Sequence, residues 1–353
     1  MDNQKPKFND QFREFKRQLK IDKNDRILGS GDYGEVREIK MDGRTYVAKI
    51  IKKKEGSFYL EKLKGPHIIK IKKIYEKKID GIDYNLIVME KAPLKDFGTM
   101  NSYLHEKNIF TLINSPFTEK VGENLLRYIT KQIVKGLETL ERNELVHFDI
   151  KPENILIMPG LKLKLSDFAF LMNLKENKNE TKFKIPGGTP GYVTPEYFRN
   201  EDVDGDTAKK QDYFALGATL YMIKMGNQML KYRKFNDDKM TEDRIIDLLQ
   251  RDIANIQSHP LIDNDFKSFL CNLIQYIPEE RPSFEEIYRN KWLNKNEEEI
   301  SLILNSIVDG EEDKLMKELL KSDFLLEGQN ELIEEKKIIK PKKKKKSNFI
   351  FEL

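Results

Sequence analysis

The sequence predicts an α+β fold in two lobes, a small antiparallel β-rich N-terminal lobe and a larger α-helical C-terminal lobe. Two patterns carry this reading. Residues from Arg26 to about Met89 are strand-like, and those after Pro93 turn helical. In the first stretch, Val36 to Lys40 and Tyr46 to Ile51 flank Met41-Asp42-Gly43-Arg44, whose Asp-Gly pair favours a two-residue hairpin turn. Asn85 to Met89 is a further strand-like run, and Phe58 to Leu63 reads as a short helix before the Gly65-Pro66 breaker. In the second stretch, Leu125, Ile129, Ile133, Leu137 and Leu140 recur at helical spacing. Two short apolar strands follow, Ile155 to Met158 and Leu161 to Leu165, joined by Pro159-Gly160. Further helices are expected at Asp212 to Met225, Thr241 to Asp252, Asp265 to Tyr276 and Phe284 to Tyr288. The expected division is residues 1–24 as an arm or short helix, 25–91 and 92–295 as the lobes, 296–338 as an acidic helix-prone extension and 339–353 as a polybasic tail. A groove between two lobes is a natural small-ligand site.

Composition removes several classes. Sixty-three Lys and Arg nearly cancel 59 Asp and Glu, so a net charge of +4 gives no whole-chain argument for nucleic acid. Charged residues make up 35% of the 353, well above the roughly 25% usual in globular chains, which implies a heavily charged surface. Cys271 stands alone, excluding a disulfide framework and fitting a reducing compartment. Residues 1–24 carry no apolar run of signal-peptide length. The longest near-apolar run, Phe214 to Ile223, is far short of the about 20 residues a bilayer span needs. The expectation is a soluble intracellular protein, cytoplasmic or nuclear, with no transmembrane segment.

Gly29-Ser30-Gly31-Asp32-Tyr33-Gly34-Glu35-Val36 fits G-x-G-x-x-G-x-V. Glycines let backbone N–H groups approach phosphate oxygens closely. A dinucleotide fold would need a helix directly afterwards, whereas Val36 to Lys40 reads as a strand. Lys49, in Val47-Ala48-Lys49-Ile50, lies in the next strand and is placed to hold the α- and β-phosphates.

His147-Phe148-Asp149-Ile150-Lys151-Pro152-Glu153-Asn154 resembles the catalytic loop H-R-D-L-K-x-x-N of eukaryotic protein kinases. Ser166-Asp167-Phe168-Ala169 resembles D-F-G, and Gly188 to Glu196 resembles the segment ending in A-P-E. The likeness spans roughly residues 20–295. It implies Ser/Thr phosphoryl transfer with ATP and Mg²⁺ (or Mn²⁺) to a protein substrate. By resemblance, Asp149 accepts the hydroxyl proton, Lys151 neutralises the transferred group, and Asn154 and Asp167 ligate the metal. Leu28, Val36, Ala48 and Leu156 would sandwich adenine. Met89 would be the gatekeeper and Glu90 to Ala92 the hinge, with Asp96 a candidate for the ribose. Thr189 would contact the catalytic loop, Glu196 would pair with Arg281, and Asp212 would brace the loop.

Three departures qualify the likeness. Phe148 stands where the family has an arginine that grips an activation-loop phosphate, so activity is expected without phosphorylation there. Thr181, flanked by Lys182 and Lys184, is the residual candidate phosphosite. Ala169 replaces the last glycine of D-F-G, which restricts flipping of that segment. The regulatory helix is short. Glu55 is favoured as the partner of Lys49, with Glu61 the alternative and no ion pair the third possibility. The competing class is a pseudokinase scaffold, against which stands the joint presence of Lys49, Asp149, Lys151, Asn154 and Asp167. The run Lys340 to Lys346 is read as a solvated tail, a nuclear-import signal for an import receptor, or a site for an acidic partner.

Overall fold

The structure, a computed structural model, describes residues 8–19, 25–31, 34–53, 59–92, 119–158, 162–175, 181–230 and 241–295. The acidic extension, the polybasic run, Glu55 and Asp96 lie outside these residues.

The small lobe is a five-stranded antiparallel sheet. Its strands are β1 (Arg26–Gly31), β2 (Gly34–Met41), β3 (Arg44–Lys52), β4 (Ile71–Ile79) and β5 (Ile82–Met89), in the order β1-β2-β3-β5-β4. Two Asp-Gly pairs fold the hairpins. Asp42 and Gly43 have φ of 50° and 72°, and Asp80 and Gly81 have 49° and 80°, the left-handed pairs that match strand twist. β4 forms one edge, where Lys72, Lys73, Lys77 and Lys78 discourage further strand pairing.

Side chains alternate across the sheet. Ile39, Ala48, Ile50, Tyr84, Leu86 and Val88 face outward from the cleft and are buried. They are covered by helix α1 (Phe8–Leu19), through Phe12 and Phe15, which are 1% and 0% exposed. Part of the stretch expected as an arm or short helix is therefore core. On the opposite face, Ile51 and Ile87 pack with Leu60 of the short helix α2 (Tyr59–Lys62) and with Phe168.

The large lobe is built on α3 (Glu119–Arg142). Beyond it, β6 (Leu145–Val146) leads through the catalytic loop and a 3₁₀ turn (Pro152–Asn154) into β7 (Ile155–Met158) and β8 (Lys162–Leu165). β9 (Met172–Asn173) pairs with β6, and β10 (Phe183–Lys184) with β11 (Asp202–Val203), bracketing the activation segment around α4 (Pro195–Phe198). Then come α5 (Gly205–Met225), α6 (Glu242–Ser258), α7 (Asn264–Leu273), a 3₁₀ turn (Pro278–Glu280) and α8 (Phe284–Tyr288). α5 is buried nearly all round, as a central helix must be when layers cover it on several sides. Asp204 caps its start by accepting from Thr207 N, and Gly226 ends it at φ 69°. Ser283 and Glu286 close a capping box on α8. No described helix is long and apolar enough to cross a membrane.

Candidate active site

Between the lobes lies a cleft of about 660 Å³, within the range typical of small-molecule sites. Its roof is Leu28, Gly29, Val36 and Val47, its back Ile87 and Met89, its hinge side Glu90 to Ala92, and its floor Asn154, Leu156 and Asp167. Leu28, Gly29, Val36, Met89, Glu90, Ala92 and Leu156 all line this cleft.

Ala48 does not. It is 1% exposed on the α1 face, and Val47 lines the cleft instead. The reason is strand parity: with Lys49 in the cleft, Val47 and Ile51 must share its face. Gly34 also serves a structural end. A Cβ there would lie 2.3 Å from Ile50 O, so glycine lets β2 approach β3 closely. Gly31 pairs with Gly34 at the end of the hairpin, next to Asp32 and Tyr33, which are not among the described residues.

Lys49 Nζ pairs with Asp167 across the cleft. Burial alone would raise the Asp167 carboxyl, but the adjacent Lys49 ammonium outweighs it and holds the group below its ordinary value. Glu61 is engaged elsewhere: its carboxylate accepts from Ile74 N at 2.7 Å. In the hinge, Glu90 Oε1 accepts from Lys70 N and Lys164 Nζ, both at 2.6 Å, and its backbone N–H donates to Lys70 O at 3.0 Å.

Around Asp149 the hydrogen bonds form one network. Asn154 Nδ2 donates to Asp149 Oδ2 at 2.8 Å, and Thr189 Oγ1 donates to Oδ1 at 2.6 Å. Lys151 Nζ lies 2.6 Å from Thr189 Oγ1 and 3.0 Å from Asp149 Oδ2. The Asp149 carboxylate is 5% exposed and held in a single orientation. Below it, Asp212 of α5 accepts from His147 N at 2.7 Å and Phe148 N at 2.8 Å. Burial pushes the Asp212 carboxyl up to about 7, opposed by these two N–H groups. The bonds hold Phe148 in left-handed backbone at φ 63°, and Asp167 adopts φ 58°. Each costs on the order of 1–2 kcal/mol, tolerated where the surroundings over-determine the loop.

His147 is a connecting residue that motif reading left without a role. Burial holds its pKa down, so the ring is neutral. Nε2–H donates to Ser166 O at 2.9 Å, and Nδ1 accepts from Asp149 N at 3.2 Å. The ring centroid stands 5.1 Å from that of Phe168, so the histidine links the catalytic loop to the segment carrying Asp167. Glu196 and Arg281 form a buried bidentate pair at 2.7 and 2.9 Å, anchoring the end of the activation segment.

A small antiparallel lobe over a helical lobe, with a lysine–aspartate pair and an Asp-Lys-Asn network at the cleft between them, defines the protein kinase fold. A family model described as "Protein kinase domain" matches residues 23–293, and the chain belongs to that family. Among curated relatives it is similar to rhodopsin kinase GRK1 of Rattus norvegicus, 30% identical over 270 residues covering 74% of this chain and 44% of that one. It is 27% identical to serine/threonine-protein kinase ULK3 of Homo sapiens over 285 residues, 76% of this chain and 53% of that one. It is also 27% identical to probable serine/threonine-protein kinase fhkC of Dictyostelium discoideum over 294 residues, 77% and 44%. The chain therefore spans about half or less of the length of these relatives.

Proposed function

We propose that this chain transfers the γ-phosphoryl group of ATP to serine or threonine hydroxyls of protein substrates. The observation that carries the reading is the convergence of Asp149, Lys151, Asn154 and Thr189 in one network beside the cleft that holds Lys49 and Asp167. The substrate oxygen forms the new bond to phosphorus. The bond to the β,γ-bridging oxygen breaks, ADP leaves with that electron pair, and the hydroxyl proton passes to Asp149. Lys151 is placed to stabilise charge on the transferred group, and Lys49 to hold the phosphates.

The donor set fits magnesium. Asp167 and the Asn154 amide oxygen are hard oxygen donors at the floor of the cleft. Among the described residues no three His, Cys, Asp or Glu cluster as a self-sufficient metal cage. That suits an ion held by one or two protein groups together with nucleotide phosphates. Bound there, the ion would neutralise phosphate charge.

Activity is proposed not to need phosphorylation of the activation segment. Phe148 is buried with Phe170, Ile185, Val203 and Ala208, so apolar contact joins the catalytic loop to that segment where a phosphate and an arginine would otherwise meet. The exposed Thr181 stays the candidate regulatory site. A scaffold without catalysis is the second reading, favoured by the four-residue α2 and by Glu61 facing the β4 backbone rather than Lys49. Glu55, outside the described residues, stays the proposed partner of Lys49. For Lys340 to Lys346 a solvated tail, an import receptor and an acidic partner all stand as proposals.

The deciding experiment compares the protein with Asp149→Asn, using Mg·ATP and a generic protein substrate. Transfer should fall by about 10²-fold or more while Mg·ADP binding persists. Equal phosphate incorporation by both would sink the kinase reading.

A further inference from the structure

We infer that α1 and Arg37 form a clamp on the glycine hairpin that sets how long a nucleotide stays bound, an inference resting on the nucleotide site proposed above. The hairpin has little packing of its own. In β1, Arg26, Ile27, Leu28 and Gly29 are all exposed, and β1 pairs with β2 alone at the edge of the sheet. Something else must fix its position over the cleft.

Strand parity supplies the means. Val36 and Glu38 point into the cleft, so Glu35 and Arg37 point outward towards α1. Both are buried, at 6% and 8% exposure. The Arg37 guanidinium lies 4.4 Å from the centre of the Phe12 ring of α1. Its Nε donates to Glu35 at 2.5 Å, next to Gly34, and its Nη1 pairs with Asp25, the residue before β1. Lys16 of α1 pairs with the same Asp25. Burial tends to raise the Asp25 carboxyl, yet the two cations hold it below its ordinary value. The roots of both hairpin strands are thus tied to one helix.

That helix is itself anchored on the stiff part of the sheet. Phe12 and Phe15 are buried among side chains of β2, β3 and β5, and Lys77 of β4 bonds Glu14 Oε2 and O at 3.2 and 3.1 Å. A helix that only filled an apolar face would need Phe12 and Phe15. It would not need the four charged groups Lys16, Asp25, Glu35 and Arg37 linked at the glycine hairpin. Opening the hairpin to release ADP requires β1 and β2 to lift, which strains these ion pairs, so the clamp slows release.

The test uses the full chain and stopped-flow measurement of fluorescent Mg·ADP, which needs no catalysis. Arg37→Met keeps the packing over Phe12 and removes the polar contacts. Its Mg·ADP dissociation rate should rise about three- to tenfold, with the association rate within twofold of wild type. Arg37→Lys should fall between the two. Leu86→Val, in the same apolar cluster, reports the effect of loosening packing alone and should leave dissociation unchanged. Should Arg37→Met fail to fold, Asp25→Asn carries the same expectation. An unchanged dissociation rate in the folded Arg37→Met or Asp25→Asn protein, or an equal rise in Leu86→Val, would overturn the clamp. Wild-type protein that binds no Mg·ADP would overturn the nucleotide site itself.

Discussion

Replacing Phe148 with alanine tests the link between the catalytic loop and the activation segment. The ring is 5% exposed and packs with Phe170 and Ile185 of the segment and with Val203 and Ala208 beyond it. Truncating a buried phenylalanine costs about 3–5 kcal/mol. The segment is otherwise held at separate points, among them the two-residue pairings of β9 with β6 and β10 with β11, the Thr189 contacts to Asp149 and Lys151, and the Glu196–Arg281 pair at its end. The loss should therefore fall largely on local detachment of the segment rather than on the whole lobe. About 4 kcal/mol corresponds to roughly three powers of ten in the detached population. Exposed Lys182 and Lys184 make tryptic cleavage the readout. Cleavage there should accelerate by at least tenfold and kcat should fall, with the KM for ATP little changed. Phosphatase treatment of wild-type protein should leave activity intact. A folded Phe148→Ala protein with unchanged cleavage and kcat would refute the reasoning, as would loss of wild-type activity on dephosphorylation.

Arg281→Ala leaves the Glu196 carboxylate buried without its bidentate partner and should cost about 3–5 kcal/mol in urea unfolding. Burial depresses the His67 imidazole to about 4, so the unfolded chain binds more protons between about 4 and 6.5. The neutral ring therefore contributes stability above pH 6.5 that is lost as pH falls towards 4, about 3 kcal/mol at most. His67→Gln should flatten part of that slope in denaturant titrations; His147 and His259 titrate with the same sign, while the raised Asp212 carboxyl opposes them. Val47→Phe, which projects into the cleft, should weaken Mg·ADP binding by tenfold or more, measured by fluorescence titration. A folded Val47→Phe protein with unchanged affinity would contradict the face assigned to Val47.

Motif spacing placed Asp149, Lys151, Asn154, Asp167 and Lys49 because the family's chemistry requires those groups in that order. The long helix was legible from apolar spacing, since Leu125, Ile129, Ile133, Leu137 and Leu140 all fall within Glu119–Arg142. Ala48 lies on the wrong face because side chains alternate along β3, so that Val47, two residues before Lys49, shares the cleft face. The β4–β5 hairpin carried the same Asp-Gly signature as the first one, at Asp80-Gly81, but its lysine-rich edge strand hid the apolar alternation. α1 was also readable in principle, since Phe8, Phe12, Phe15 and Leu19 fall at helical spacing within a polar stretch. The two-residue strands β6, β9, β10 and β11 leave no periodicity, being set by the long-range contacts they make. For Phe148 the sequence announced a missing arginine. Only the fold shows which apolar neighbours take up its place.

The placement of α1 bears on how this chain should be cut. The match to the family begins at residue 23, so a fragment trimmed to residues 23–293 would omit α1 entirely. It would leave Ile39, Tyr84, Leu86 and Val88 facing water on a β-sheet. An open apolar sheet face is a surface on which proteins aggregate. Insolubility of such a fragment would then report the missing helix and say nothing against the catalytic lobe beneath it.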